Sequence, residues 1–111
     1  MIKIRFFRSV KGWLGFCVTG HAGFADHGDD VVCAAVSTLT QAAVLGVEDV
    51  IQYPSHMECE SGRLVLTLKP DDSFEWSKVQ VILETTYQAL MNIQQQYPNW
   101  VTLMTDGPGG E

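Results

Sequence analysis

The sequence predicts an α+β domain in which two helices pack on one face of a mixed, mostly antiparallel sheet. Three observations predict this class: short stretches with alternating apolar residues, two longer stretches with apolar residues at helical spacing, and their order along the chain. That order is β-β-α-β-β-α-β. With 111 residues and 46% hydrophobic residues, the chain has the length of one domain with its own core.

The strands are predicted as two hairpins and a last single strand. Ile2, Ile4 and Phe6 occupy alternate positions of the first strand, and a turn follows before the second strand at 13–19. In the second strand, alternation places Leu14, Phe16 and Val18 on one side and Trp13, Gly15, Cys17 and Thr19 on the other. The second hairpin joins 57–59 to 63–68 through Glu60-Ser61-Gly62, and the last strand is 100–104.

Two helices follow from apolar residues recurring every three or four positions. The first is predicted at 31–47, with Asp30 as its N-cap and Gly46 near its end. The second is predicted at 74–97, where Asp72 and Glu75 have the spacing of a capping box. We expect one domain over 1–105, followed by a disordered Gly-rich tail at 106–111.

Composition narrows the classes of function. Three cysteines, Cys17, Cys33 and Cys59, are an odd number that suits a reducing compartment better than a disulfide framework. The net charge of −6 disfavours direct contact with nucleic acid and would attract a basic partner. We see neither a signal peptide nor an apolar run near the ~20 residues of a spanning helix, so we expect a cytoplasmic protein without a membrane partner.

The stretch 20–37 carries the candidate chemistry. A Gly-rich polar segment with His21 precedes the first helix, and Cys33 is the third helical residue if Asp30 is the N-cap. The positive end of a helix dipole favours a thiolate over a thiol, and a histidine is a suitable general base for it. Taken alone, these residues make Cys33 either a nucleophile paired with His21 or a small core residue on an Ala-rich helix.

Neighbouring residues have two roles open to them. Asp30 is a helix N-cap that could also orient His21, although a carboxylate beside Cys33 would oppose thiolate formation. Ser37 lies one turn after Cys33 on the same face, where it either packs like an alanine or donates a hydrogen bond to the site. Gly20 is expected to act as a hinge of the segment.

Gly28 is expected to be a second hinge, and Phe24 is the candidate for a substrate pocket. His27 could join His21 and Cys33 around a metal ion, but these spacings are longer than zinc ligand pairs usually have. We therefore expect no metal and no cofactor.

The same stretch resembles a known family, the ribosomal-processing cysteine proteases of bacteria. The resemblance is carried by Gly20-His21-Ala22, then Gly28, then Asp30-Val31-Val32-Cys33-Ala34-Ala35-Val36-Ser37, and the spacing from His21 to Cys33 matches as well. It implies that Cys33 is the nucleophile and His21 the general base and acid, with Asp30 and Ser37 in supporting positions. Backbone N–H groups at the helix start, including that of Cys33, would then form the oxyanion hole.

The resemblance also implies a substrate and an assembly. Members of this family remove a short N-terminal extension from one large-subunit ribosomal protein, the twenty-seventh in the standard naming, after a pair of aromatic residues. A hydrophobic groove under the segment and a homodimer are expected on the same basis. Two other functions stay open: a non-catalytic dimer that binds a ribosomal or other basic partner, and a cysteine hydrolase with another substrate.

Overall fold

The computed structural model describes residues 1–20 and 27–107, except for the side chains of 27–30. The described chain forms five strands and two helices in the predicted order. The strands are β1 (Ile2–Ser9), β2 (Gly12–Thr19), β3 (Ser55–Glu60), β4 (Arg63–Leu68) and β5 (Val101–Asp106). The helices are α1 (His27–Leu45), which continues directly into a π-helical turn (Gly46–Ile51), and α2 (Phe74–Gln96).

The five strands form one sheet in the order β3-β4-β2-β1-β5. All neighbours are antiparallel except β1 and β5, which are parallel. The apolar row of β1 is fully buried, and it packs in one core with Val32 and Val36 of α1 and Leu83 of α2. The predicted α+β class is confirmed.

Alternation along β2 fails at one place. The register shifts between Phe7 and Arg8, so that Phe7 pairs with Gly15 while Arg8 pairs with Trp13, and Leu14 is the extra residue of a β-bulge. Trp13 was predicted opposite Phe16 but is only 5% exposed, in the same core. The bulge therefore gives the core one more aromatic ring than strict alternation predicts.

Helix α2 holds the bulged strand in place. The Gln80 side chain accepts from the Trp13 backbone N–H at 2.6 Å and donates to the Trp13 carbonyl at 2.9 Å. The Trp13 indole donates to Glu84 Oε1 at 2.8 Å, and its ring centroid lies 4.9 Å from that of Tyr87. Trp13 thus joins the sheet to the helix layer through both its backbone and its side chain.

Helix α1 begins earlier than predicted. It starts at His27, so Asp30 is a residue of the first turn and not the N-cap. The first N–H groups of a helix need no intrahelical partner, and acidic residues there interact favourably with the helix dipole, so this polar sequence can form the first turn. At the other end, Gly46 does not stop the helix: it opens the π-helical turn, which ends at Gln52 in a left-handed conformation with φ 61°.

Two other predicted boundaries are wrong. Ser73, not Asp72, caps α2, because its hydroxyl accepts from the Trp76 backbone N–H at 3.1 Å. Asp106 was assigned to a disordered tail, but it is the last residue of β5 and forms an ion pair with Arg5 at 2.9 Å. Residues 108–111 of the predicted tail lie outside the described residues.

The stretch Val31–Ile51 corrects a further expectation. It is 21 residues long with a mean hydropathy of 1.6, so by length and composition alone it could cross a membrane. Val32, Val36 and Val47, however, are buried in the domain core. Packing of one helix face in that core explains the same composition.

Candidate active site

Cys33 lies in a cleft of about 220 Å³ between α1 and the sheet. Its side chain is half-buried and its thiol is free. The helix contributes Cys33, Val36, Ser37, Thr40 and Gln41, and the sheet contributes Ile2, Val18, Gly20, Cys59, Glu60, Gly62, Arg63 and Leu64. The cleft therefore has one wall from α1 and one wall from the ends of four strands and the turn between β3 and β4.

The helical repeat places three residues of α1 on the side that faces the cleft. Cys33, Ser37 and Gln41 are four residues apart and line the cleft together. The Gln41 side-chain amide donates to Ser37 Oγ at 2.8 Å. Thr40 on the same helix instead donates its hydroxyl to the Val36 carbonyl at 2.9 Å, so its proton is used within the helix. Ser37 and Cys33 are thus brought to one cleft, as predicted from their spacing.

The early start of α1 changes the electrostatics of Cys33. Cys33 is the seventh residue of a helix that starts at His27, and the dipole effect falls off within the first turn. Cys33 therefore lies outside the first turn, about one turn later in the helix than predicted. The backbone N–H of Cys33 is not among the first four of the helix, so it is not a free donor for an oxyanion hole.

Gly20 fixes the point where β2 leaves the sheet at the cleft. Its φ of 90° is a left-handed value that favours glycine, and a Cβ there would collide with the Met1 carbonyl oxygen. Its N–H donates to the Gly62 carbonyl at 3.0 Å. Gly20 is thus held between the N-terminus and the β3–β4 turn, directly before His21 in the sequence.

Several predicted residues are not placed by the structure. His21 and Phe24 lie outside the described residues, and so do the side chains of Asp30 and His27. Gly28 belongs to the first turn of α1 and not to a preceding loop, and its role as a hinge stays a prediction. The proposed pairing of His21 with Cys33 therefore stays a prediction.

The cleft also contains residues that sequence reasoning did not select. Cys59 was not among the predicted site residues, yet it is exposed and lines the cleft together with Cys33. Strand pairing would have placed it there: Cys59 pairs with Leu64, Leu64 with Val18, and Val18 with the buried Ile4. Gln41 could have been found from its spacing of eight residues, or two turns, from Cys33.

Among the described residues that line the cleft, Arg63 is the cation, and it is bonded to an acid on the sheet. Arg63 Nη1 donates to Glu58 Oε1 at 3.0 Å, and His56 Nε2 lies 3.0 Å from Glu58 Oε2. The bond with His56, followed by that with Arg63, holds the pKa of Glu58 below its usual value. The cleft thus lacks an uncompensated positive charge among its described side chains.

Among the described side chains, those of 1–20 and 31–107, no three His, Cys, Asp or Glu are grouped as metal ligands would be. The set of His21, His27 and Cys33 falls partly outside that search. A larger groove of about 590 Å³ lies at the opposite end of the β3–β4 hairpin and is lined by Tyr53, His56 and Asp71, among others. It contains none of the candidate residues.

Comparison with known proteins decides the family. The family model for the cysteine protease Prp matches residues 1–102. The chain belongs to the Prp family. It is therefore a cysteine peptidase, and the cleft that contains Cys33 is its candidate active site.

Prp relatives agree with this assignment in sequence and in fold. The ribosomal processing cysteine protease Prp of Bacillus subtilis is 31% identical over 99 residues, which cover 86% of this chain and 88% of that protein. A crystal structure of a Streptococcus mutans protein is 28% identical, with a TM-score of 0.85 over 97% of this chain and 96% of that one. The ribosomal processing protease Prp of S. aureus, solved with a substrate peptide, has a TM-score of 0.82 over 96% of this chain and all of that one. At 18% identity, it shows that the fold is shared.

Proposed function

We propose that the chain is an endopeptidase that removes a short N-terminal extension from a large-subunit ribosomal protein, the twenty-seventh in the standard naming. The similarity to a relative named as a ribosomal processing protease supports the substrate class. One observation carries the assignment of the nucleophile: Cys33 is a free thiol in a cleft whose other wall includes Gly20, the residue before His21.

The proposed reaction is acyl transfer through a Cys33–His21 dyad. His21 takes the thiol proton, Cys33 Sγ attacks the scissile carbonyl carbon, and the amine leaves after accepting the proton from His21. Water then attacks the thioester and releases the new acid and the free thiol. Because the Cys33 N–H lies inside α1, the Ser37 hydroxyl, oriented by the bond from the Gln41 amide, is the proposed donor on the cleft face of the helix.

The charge of the chain fits the proposed substrate. Ribosomal proteins are basic, and a chain with a net charge of −6 attracts them over the distance at which charges act in water. We propose that the protein works in the cytoplasm as a homodimer, without a metal, a cofactor, direct nucleic-acid contact or a membrane. Light scattering of the purified chain tests the dimer, and a mass of one chain at working concentration would contradict it.

The deciding experiment combines the purified chain with the ribosomal protein precursor of its own organism. We expect intact-mass spectra to show the loss of one short N-terminal peptide. Cys33→Ala should abolish the loss, and Cys17→Ala is the matched control, because Cys17 faces the side of the sheet away from the cleft. Cleavage by the Cys33→Ala protein would contradict the assigned nucleophile.

Alkylation separates this proposal from its two alternatives. A Cys33 that reacts with iodoacetamide faster than free cysteine below pH 8 acts as a nucleophile. If such a Cys33 left the precursor intact, a hydrolase with another substrate would replace the proposed one. An unreactive Cys33 without cleavage would favour the non-catalytic binding protein.

A further inference from the structure

We propose that Cys33 and Cys59 form a reversible disulfide when the protein meets a peroxide, and that this bond switches the peptidase off. The loss of activity rests on the proposed function, in which Cys33 is the nucleophile. The formation of the bond does not, because it follows from the position of two thiols in one cleft. Both thiols are free, and neither is fully buried.

The register of the sheet shows that Cys59 faces the helix layer. Cys59 pairs with Leu64 of β4, Leu64 pairs with Val18 of β2, and Val18 pairs with Ile4 of β1. Directly paired residues have side chains on the same face of a sheet, and Ile4 is completely buried under the helices. The thiol of Cys59 therefore points to the same side of the sheet as α1.

Each wall of the cleft then carries one of the two cysteines. Leu64, the direct neighbour of Cys59, and Cys33 both pack against the core, and all three residues line the same cleft. The volume of this cleft is about 220 Å³.

The edge position of β3 permits the approach. In the described sheet, β3 pairs with β4 alone, and Cys59 lies next to its last residue. Strand ends at a sheet edge open at low cost in free energy, because few hydrogen bonds hold them. The proposed bond requires β3 to move until the Cα atoms of Cys59 and Cys33 are within the roughly 4.4–6.8 Å that a disulfide spans.

The third cysteine is excluded by the same register. Cys17 pairs with Arg5 of β1 and with Val65 of β4. It is the residue before Val18, which belongs to the row of paired residues that contains Cys59. Its side chain is therefore on the face of the sheet opposite α1, and it does not line the cleft. A bond between Cys33 and Cys17 would have to cross the sheet.

The chemistry needs one peroxide molecule and balances. The Cys33 sulfur forms a bond to one peroxide oxygen while the O–O bond breaks, which gives a sulfenic acid and hydroxide. The Cys59 thiolate then attacks the sulfenic sulfur, the S–S bond forms, and the S–O bond breaks with the second hydroxide leaving. With the two thiol protons, the products are one disulfide and two waters, and the two sulfurs have supplied two electrons.

The bond would both inactivate and protect the peptidase. A Cys33 sulfur in a disulfide cannot attack a carbonyl, and it cannot be oxidised further to the irreversible sulfinic and sulfonic acids. A thiol reductant restores it. The cleft thus contains a resolving cysteine beside its nucleophile.

The test treats the full chain with hydrogen peroxide under native conditions, blocks remaining thiols, and maps disulfides by mass spectrometry without reduction. We expect the wild type to lose two hydrogens, with Cys33 and Cys59 in one cross-linked peptide. The Cys17→Ser protein should behave in the same way. In the Cys59→Ser protein the cross-link should be absent, and sulfinic acid should accumulate on Cys33.

Activity supplies a second readout, measured for each protein relative to its own reduced state. Dithiothreitol should restore the oxidised wild type and Cys17→Ser proteins to their starting rates, and should leave most of the activity of Cys59→Ser lost. A cross-link that includes Cys17, or equal recovery with and without Cys59, would overturn the proposal. If Cys33→Ala still cleaved the precursor, the proposed function would fail while a Cys33–Cys59 bond in the wild type would stand.

Discussion

At the scale of one residue, the conformation of Gly20 fixes the end of β2 at the edge of the cleft. Its positive φ and the nearby Met1 carbonyl leave no room for a side chain. Replacement by alanine must either strain the backbone or move the end of β2, where the cleft begins.

We predict that Gly20→Ala lowers the free energy of unfolding by about 1–3 kcal/mol and lowers cleavage more than stability explains. Urea unfolding and precursor cleavage below the melting range measure the two effects. Gly46→Ala is the matched control: its Cβ would meet only the mobile end of Ile82, 2.7 Å away, and its φ is ordinary. Equal damage from the two substitutions would show that the conformation of Gly20 is not what matters.

The contribution of the Gln41–Ser37 hydrogen bond to kcat/KM can be measured. We predict that Gln41→Ala lowers kcat/KM about fivefold, because it removes a hydrogen bond worth about 1 kcal/mol to the orientation of Ser37. In a Ser37→Ala background the same substitution should have no effect, since the bond is already gone. Additive losses in the double variant would mean that Gln41 acts by another route.

Residue spacing predicted part of this site. Cys33 and Ser37 lie on one helical face because they are four residues apart, which any helix through them would ensure. Cys59 could not be found in this way, because its place depends on which strand pairs with which. Sequence periodicity gives the face of a strand but not its neighbour in the sheet.

At the scale of an element, substitutions at the start of α2 distinguish two candidate N-cap residues, Ser73 and Asp72. Ser73→Ala should lower the free energy of unfolding by about 1 kcal/mol, because it removes the acceptor for the Trp76 N–H. Asp72→Ala should leave the free energy of unfolding unchanged within error. The Asp72 side chain is 97% exposed, and its surface ion pair with Lys11, at 3.5 Å, contributes little to stability. Chemical denaturation of both proteins measures the difference, and a larger loss for Asp72→Ala would restore the capping box.

Alternation and helical spacing predicted every strand and helix, but not their irregularities. The bulge at Leu14 depends on Gln80 and Glu84, which lie more than 60 residues away in the chain and bond to Trp13. The start of α1 could not be predicted from candidate N-cap residues, because a polar first turn of a helix and a polar loop have the same composition. The π-helical turn extends α1 through Gly46, a residue that local rules treat as a stop.

At the scale of the whole molecule, acid should weaken the contact between the sheet and α2. Hydrogen bonds from Gln88 and then from Trp13 lower the pKa of Glu84 from its usual 4.5. A lowered folded-state pKa stabilises the fold above the unfolded-state value, and this stability is lost as the pH falls through the folded-state pKa.

We therefore predict that Glu84→Gln is less stable than the wild type at about pH 6 and that the difference is smaller at about pH 3. Urea unfolding at both values measures this. A difference that stays constant over this range would show that the charge of Glu84 is not responsible.

The net charge should act on the encounter with substrate. For a chain of charge −6 and a basic precursor, we predict that kcat/KM falls as NaCl rises from about 0.05 to 0.5 M, while kcat stays nearly constant. Initial rates at several substrate concentrations separate the two constants. A kcat/KM independent of salt would mean that long-range attraction does not assist binding.

The position of Met1 against Gly20 has a practical consequence for handling this protein. A purification tag or fluorescent fusion joined to Met1 would leave the fold at the mouth of the cleft and could occupy it as a tethered peptide. Gly107 approaches the Arg8 carbonyl at the far end of β1, roughly 25 Å away along a strand of eight residues. Probes, handles and surface attachments belong on the carboxyl-terminal side, where the cleft stays clear.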